Sequence, residues 1–411
     1  MKYWNKLTAA QQDHIITEAL RQNVNYAEGG SLGVPASILD DKVFYGQASF
    51  LKDSPWLRLY VQNPNHIGCH TLGDSEPFFR GTQALETEVI RLLSEDLLSA
   101  DADSTDGYIA AGGTEANLQA IWIYRNYFQK ELGAAASEIA VISSADAHYS
   151  MVKAAGIFGL SYYSVPVDGQ TRLVTKQAVD QVLQQAERAG IRYFIVVANM
   201  ATTMFGSIDD PDVYTRCLKA AGLPFKLHVD AAFGGFIYPM TVHLNQLDFS
   251  NPDVSSITLD AHKMLQAPYG TGVFLVRKNL MQYVYTSQAA YVNGMDLTLS
   301  GSRSGANAVA VWMILKTYGY YGWQEKIKIL LDRTNWLCQE LTLRKIRFYR
   351  HPDMNIVTIY SEDLDPALAQ KYYLVPDKHT GQADWFKIVV MDHVDKPKLL
   401  QFLADIDLKQ G

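Results

Sequence analysis

The chain has 411 residues, 48% hydrophobic and 19% charged, with a formal net charge of -7. That balance suits a globular protein with one large and one smaller domain, and it excludes the basic footprint of a nucleic-acid binder. The 3 cysteines, Cys69, Cys217 and Cys338, show no C-x-x-C spacing and read as free thiols of a cytoplasmic protein; no apolar run is long enough to span a membrane, and no apolar stretch behind Met1-Lys2 reads as a signal peptide.

In chain order, Thr8 to Gln22 predicts a helix, with Thr8 as N-cap and Ile15, Ile16, Ala19 and Leu20 as its apolar stripe. A glycine-rich loop follows at Gly29 to Pro35, then an irregular polar stretch around Asn65-His66. Arg80 to Leu98 returns to helix. From Gly107 onward strand and helix alternate. Strands are expected at Gly107–Ala111, Glu138–Ile142, Ser161–Val165, Ile191–Ala198, Lys226–Asp230, Ser256–Leu259 and Gly272–Val276, with helices between most of them. Several of these strands are continuous apolar runs, the pattern of a mostly parallel sheet covered on both faces. Two long helices, Arg303–Tyr318 and Gln324–Leu343, flank Gly319-Tyr320-Tyr321-Gly322. Strands at Met354–Tyr360 and Trp385–Met391 and a helix from Lys396 to Ile406 close the chain as a small α+β unit. The expected division is an N-terminal segment 1–70, a large α/β domain 71–320 and a small α+β domain 321–411.

Chemistry concentrates where these strands end. Lys263 follows His262 just beyond the strand Ser256–Leu259, and Asp230 ends the strand before it. A lysine partly out of water favours its neutral, nucleophilic form, which condenses with aldehydes. A strand-end carboxylate can pair with a protonated pyridine nitrogen, and the two together are what a protein contributes to pyridoxal-phosphate chemistry. Gly112-Gly113-Thr114 sits between a strand and a helix, where glycine lets backbone approach a phosphate and the helix start offers unpaired N–H groups. His148 stands at a strand–helix junction and can stack on a flat ring. Thr202-Thr203 follows another strand. Each piece alone has a plainer reading: a tight turn, a loop histidine, a hydroxyl cap, a strand stop. Together they share the carboxyl ends of strands in one α/β domain, the edge along which open α/β sheets bind ligands. Neither a Walker loop nor a G-x-G-x-x-G loop is present.

The stretches Leu72-Gly73-Asp74, Gly112-Gly113-Thr114-Glu115-Ala116-Asn117, Ala145-Asp146-Ala147-His148-Tyr149-Ser150, His228-Val229-Asp230-Ala231-Ala232 and Ser256 to Met264 resemble the group II pyridoxal-phosphate-dependent amino-acid decarboxylases, most of all the shorter archaeal-type tyrosine/aspartate decarboxylases. The resemblance runs from about residue 70 to the end. It implies the PLP-dependent transferase-like fold of the aspartate-aminotransferase superfamily (fold type I). It also implies decarboxylation of a tyrosine-, aspartate- or glutamate-like L-amino acid through a Schiff base on Lys263. By position, Asp230 would pair with the pyridine nitrogen, Ala232 pack against the ring and His148 stack on the opposite face. Gly113, Thr114 and His262 would contact the phosphate, Thr202 the ring substituents, and Tyr291 would help protonate the product carbon. A homodimer with its site at the subunit interface is implied, with Ser302 near the partner's phosphate. No metal is expected. Asp260-Ala261 stands where relatives often have Asn-Pro or Asp-Pro, and Asp260 is expected to bond backbone or His262. Arg303 is a candidate cation for an acidic substrate, its plainer role being to anchor a helix start. His66 lies in a loop only loosely like the family's substrate-facing one. Another fold type I enzyme (an aldehyde synthase, lyase or aminotransferase) and a non-catalytic protein of the same fold are the alternatives.

Overall fold

A computed structural model of the chain describes residues 80–242, 244–287, 295–378 and 380–410, together with 30, 32, 40, 42, 64–68 and 71–72. The expected N-terminal helix and Tyr291 lie outside the described residues. Elements are numbered from the first described.

Helix α1 (Arg80–Arg91) runs into a π-helical turn, Leu92–Leu97, within the span expected as one helix. Then come β1 (Thr105–Ala110), α2 (Gly113–Leu132), β2 (Ile139–Ser144), α3 (Ser150–Phe158), β3 (Ser161–Val165), α4 (Lys176–Arg188), β4 (Tyr193–Asn199), α5 (Pro211–Ala221), β5 (Phe225–Asp230), β6 (Val254–Asp260) and β7 (Gly272–Arg277). Local chemistry sets the helix ends. Asp210 caps α5 by accepting from the Asp212 N–H, with Pro211 in the first turn, and Thr175 caps α4 by accepting from Ala178.

The sheet order is β1-β7-β6-β5-β4-β2-β3. β6, β5, β4, β2 and β3 pair in parallel, and β7 runs antiparallel to both its neighbours. Alternate residues face opposite layers. Phe194, Val196 and Ala198 of β4 join the core under α4 and α5, while Ile195 and Val197 join the one under α2 and α3. Burial on both faces is why these strands read as unbroken apolar runs. Register aligns the strand ends: Asn199 pairs with Asp230, Asp230 with Thr258, Asp260 with Gly272, and Gly272 with Ala110. The polar side chains of several strand ends therefore share one edge.

Helix α6 (Gly305–Leu343) spans both helices expected around Gly319. Gly319 itself has φ 64° and ψ 175°, a non-helical break inside it. Beyond it, β8 (Phe348–Tyr349), β9 (Ile356–Tyr360), α7 (Pro366–Lys371), β10 (Val375–Pro376), β11 (Trp385–Val389) and α8 (Lys396–Gln410) build an antiparallel sheet of order β10-β11-β9-β8 with its own core. The short strands β8 and β10 and helix α7 carry too few residues for a periodic signal and are absent from the sequence reading.

A Cβ at Gly319 would be held at a φ that L residues rarely adopt. Gly319→Ala is expected to destabilise the fold by about 1–3 kcal/mol. Urea unfolding followed by circular dichroism measures this; an unchanged midpoint would mean that the break is not imposed by backbone strain.

Candidate active site

The aligned strand ends surround one cavity of about 420 Å³. Its lining includes Gly112, Gly113 and Thr114 from the start of α2, His148 before α3, Asn199, Ala201 and Thr202 after β4, Asp230 and Ala232 at the end of β5, and Asp260, His262 and Lys263 after β6. Thus Gly113, Thr114, His148, Thr202, Asp230, Ala232, His262 and Lys263 are all brought together. Ser302 is not among them; its Oγ accepts from Asn65 Nδ2 at 3.0 Å. Ala201 holds φ 76°, a left-handed conformation uncommon for a residue with a Cβ, and so marks local strain at the cavity wall.

Asp230 is 7% exposed. Its Oδ1 accepts from the Ala232 N–H at 3.1 Å and its Oδ2 from Asn117 Nδ2 at 3.0 Å. Asn117 lies one turn into α2 from Thr114, fully enclosed, and its Oδ1 faces His228 Nε2 at 2.9 Å. Burial pushes His228 down to about 4, against the pull of the Asp230 charge, so the ring is neutral. Its other nitrogen meets Ser256 Oγ at 2.7 Å, and Ser256 in turn bonds Tyr124. Burial also lowers His148 and His262, opposed at His148 by Asp230 and at His262 by Asp260.

Asp260 Oδ2 lies 3.0 Å from Lys263 Nζ and 3.6 Å from His262 Nε2. Lysine is thus its nearer charged partner, where sequence reasoning expected backbone or His262. A Cβ at Gly113 would stand 2.7 Å from Asp260 Oδ2, so any larger residue at the turn that opens α2 would push the Asp260 carboxylate aside. Thr202 is buried, with its Oγ1 2.7 Å from Ser207 Oγ.

Arg303 is buried and turned away from the cavity. It pairs with Glu86 and donates to the carbonyls of Ile109 (2.9 Å) and Gly68 (2.6 Å). Glu86 also accepts from the Ile109 N–H at 2.7 Å and meets His66 Nδ1 at 2.5 Å, while His66 Nε2 bonds Thr82 Oγ1 at 2.8 Å. The pair therefore pins residues 64–68 to α1, β1 and the approach to α6, which is the anchoring role.

The donor set suits pyridoxal phosphate. A fixed carboxylate can hold a proton on a pyridine nitrogen, Lys263 offers an amine, and Ala232 and His148 flank the space for a ring. The first N–H groups of α2 offer a phosphate site. His262 Nδ1 is buried without a hydrogen-bond partner among the described residues, so the site has an unused polar atom where a phosphate would meet it. No group of side chains among the described residues has the makings of a metal site.

Two residues escaped sequence reasoning. Asn117 is the only amide one turn from Thr114 in Gly112-Gly113-Thr114-Glu115-Ala116-Asn117, a spacing that could have revealed it. Lys387 sits mid-strand in β11, 2% exposed, and donates to the carbonyl of Thr203, a cavity residue, at 3.0 Å. A charge inside the apolar run Trp385–Val389 was its signal.

A sequence model of the pyridoxal-dependent decarboxylase conserved domain matches residues 75–357. The chain is 50% identical over 406 residues to the tryptophan decarboxylase of Clostridium sporogenes, covering 99% of this chain and 97% of that one. It is 33% identical over 340 residues to a probable L-tyrosine/L-aspartate decarboxylase of Methanocella arvoryzae, covering 82% and 85%. In three dimensions it is similar to L-methionine decarboxylase of Streptomyces sp. 590, with a TM-score of 0.79 at 20% identity over 97% of this chain and 95% of that one.

Burial, reinforced by the charge on Lys263, lowers Lys387 from 10.5 to about 8. The folded chain then sheds this proton before the unfolded chain does. Stability therefore rises with pH between about 8 and 10.5, by up to about 3 kcal/mol from this residue. Urea unfolding across that window should show the wild type gaining on Lys387→Met as pH rises. Parallel pH dependence in the two proteins would contradict the lowered value.

Proposed function

The chain belongs to the pyridoxal-dependent decarboxylase family and is a pyridoxal-phosphate-dependent amino-acid decarboxylase, and from that premise we propose that it acts on an aromatic L-amino acid, L-tryptophan first. The observation that carries the substrate is the 50% identity to a tryptophan decarboxylase across nearly the whole of both chains, against 28–33% for the aspartate- and tyrosine-acting relatives. Charge supports it. An acidic side chain needs a cation of its own, and no arginine lines the cavity among the described residues. Arg303 is bound to Glu86. Glu115, Asp230 and Asp260 add carboxylates to the wall, which repel a substrate carboxylate and tolerate an indole.

When bound, pyridoxal phosphate supplies the electron sink that lets the Cα–carboxylate bond break as CO2 leaves. The residues of the chain do the rest. Lys263 is the covalent anchor and, once freed, an amine that can move a proton at Cα. Asp230, negative and held by two donors, keeps a proton on the pyridine nitrogen by close opposite charge. His148 and Ala232 confine the ring between them. The N–H groups of Gly113 and Thr114, with His262, take the phosphate, and Thr202 borders the ring substituents.

The working unit in this reading is a homodimer with the cavity at the subunit interface. Tyr149 at the cavity rim is 64% exposed, and Val152 and Ile157 of α3 are exposed beside it. That apolar group fits burial by a second copy. Ser302, outside its own chain's cavity, is assigned to the partner's phosphate. The free thiols of Cys217 and Cys338 suit the cytoplasm, and no helix among the described residues is long and apolar enough to cross a membrane.

Purified protein with pyridoxal phosphate, offered each of the standard L-amino acids and assayed by mass spectrometry, should release CO2 and tryptamine from tryptophan. Lys263→Ala should release neither. Aspartate or glutamate as the preferred substrate would overturn the aromatic assignment. Asp230→Ala is expected to keep the cofactor while turnover falls about a hundredfold or more, and near-normal turnover would remove Asp230 from its role at the ring nitrogen.

A further inference from the structure

Asn117 stands between the two side chains assigned to the cofactor ring. Its amide nitrogen is 3.0 Å from Asp230 Oδ2 and 3.1 Å from Ser150 Oγ. Ser150 Oγ is in turn 2.8 Å from His148 Nδ1, and the Ser150 N–H also points at Nδ1, at 3.3 Å. Asn117, Ser150 and His228 are all buried. Nothing in the assigned chemistry uses this chain of contacts.

Hydrogen counting fixes its direction. A carboxylate only accepts, so Asn117 must turn its NH2 toward Asp230. That NH2 has two hydrogens, and the second goes to Ser150 Oγ. Because the Ser150 backbone N–H already points at His148 Nδ1, that nitrogen is an acceptor, and the Ser150 hydroxyl hydrogen is directed to it. The ring proton therefore sits on Nε2. On the other side Asn117 Oδ1 accepts from His228 Nε2–H, and His228 Nδ1 accepts from Ser256. Every buried member of the chain is satisfied in one sense only, which is when such networks are most rigid.

We propose that Asn117 is a positioning residue for both flanks of the cofactor site, orienting the Asp230 side chain and, through Ser150, holding His148 as the neutral Nε2–H imidazole. Protonating Nδ1 of His148 would set its hydrogen against the Ser150 N–H and force the serine hydroxyl to turn. The charged groups facing His148 are Asp230 and Asp260, which favour the imidazolium, and Lys263 and Lys153, which oppose it. Burial already favours the neutral ring, and the relay acts in the same direction and keeps a second positive charge away from Lys263. The proposal rests on the roles given to Asp230 and His148 above, but its first test does not require the cofactor.

Titration of His148 can be followed in the full-length protein, without and then with pyridoxal phosphate, as the pH dependence of its carbethoxylation by diethyl pyrocarbonate, resolved by peptide mass spectrometry. Ser150→Ala should raise the His148 midpoint by about one pH unit, because the donor hydroxyl is gone. Asn117→Leu should raise it by a smaller amount, because both lone pairs of Ser150 are then free and its hydroxyl turns more readily to accept from an Nδ1–H. With ring-15N pyridoxal phosphate bound, Asn117→Leu should also shift the ring nitrogen signal toward the unprotonated form, whereas Ser150→Ala should leave it in place. In turnover, the acidic limb of the pH profile should move up in both variants. An unchanged His148 midpoint in Ser150→Ala overturns the proposal, and that small variant decides the matter if Asn117→Leu does not fold. Failure of the wild type to hold pyridoxal phosphate through Lys263 would instead overturn the functional reading, and the cofactor-free titration would still stand or fall separately.

Discussion

A buried carboxylate at the end of β5 is the constraint around which this molecule is arranged. Asp230 is largely buried, so the protein supplies donors to its carboxylate. It does so from two directions: the backbone of Ala232, two residues further on, and the side chain of Asn117 on α2. The second contact fixes how α2 sits over the sheet. Since α2 begins at Gly113, the same contact fixes the phosphate-binding turn against Asp260. One acidic side chain thus links the end of β5 to the turn that opens α2. Each oxygen of Asp230 has one protein donor and lone pairs to spare on the cavity side, where a protonated pyridine nitrogen would find an acceptor.

The cations of the chain are distributed by the same logic. Lys263 faces Asp260, and Arg303 is held in the Glu86 and His66 cluster away from the cavity. Lys387 is sunk beside the Thr203 carbonyl. Positive charge near the cavity is therefore already matched or withheld, and an uncharged aromatic side chain is the substrate type that asks for none. Specificity of this kind works by refusal: an anionic side chain meets Glu115, Asp230 and Asp260 without a compensating partner.

Much of this was legible in the sequence, and the part that was not has physical reasons. The parallel strands were readable because burial on both faces leaves continuous apolar runs, as in Phe194 to Ala198. The residues gathered at the cavity were readable because each lies just past such a run. Arg303 could be read either as a cation for an acidic substrate or as the anchor of a helix start, and the choice stayed open because a sequence does not show that Glu86, 217 residues away, is its partner. Asn117 looked like one more polar residue on a helix, since its importance comes from Asp230, Ser150 and His228, all distant in the chain. The π-helical turn after Arg91 carries the same apolar periodicity as an α-helix and so reads as a continuation.

β7 runs against the grain of the sheet, and this has a kinetic side. Because β6 and β7 are antiparallel neighbours joined by residues 261–271, Lys263 is carried on a hairpin loop closed by the Asp260–Gly272 pair. Hairpins close in roughly 1–10 μs, whereas parallel pairing through crossover helices, which brings Asp230 beside Asn199, must wait for distant segments to meet. Lysine and carboxylate therefore reach the edge by routes of very different contact order.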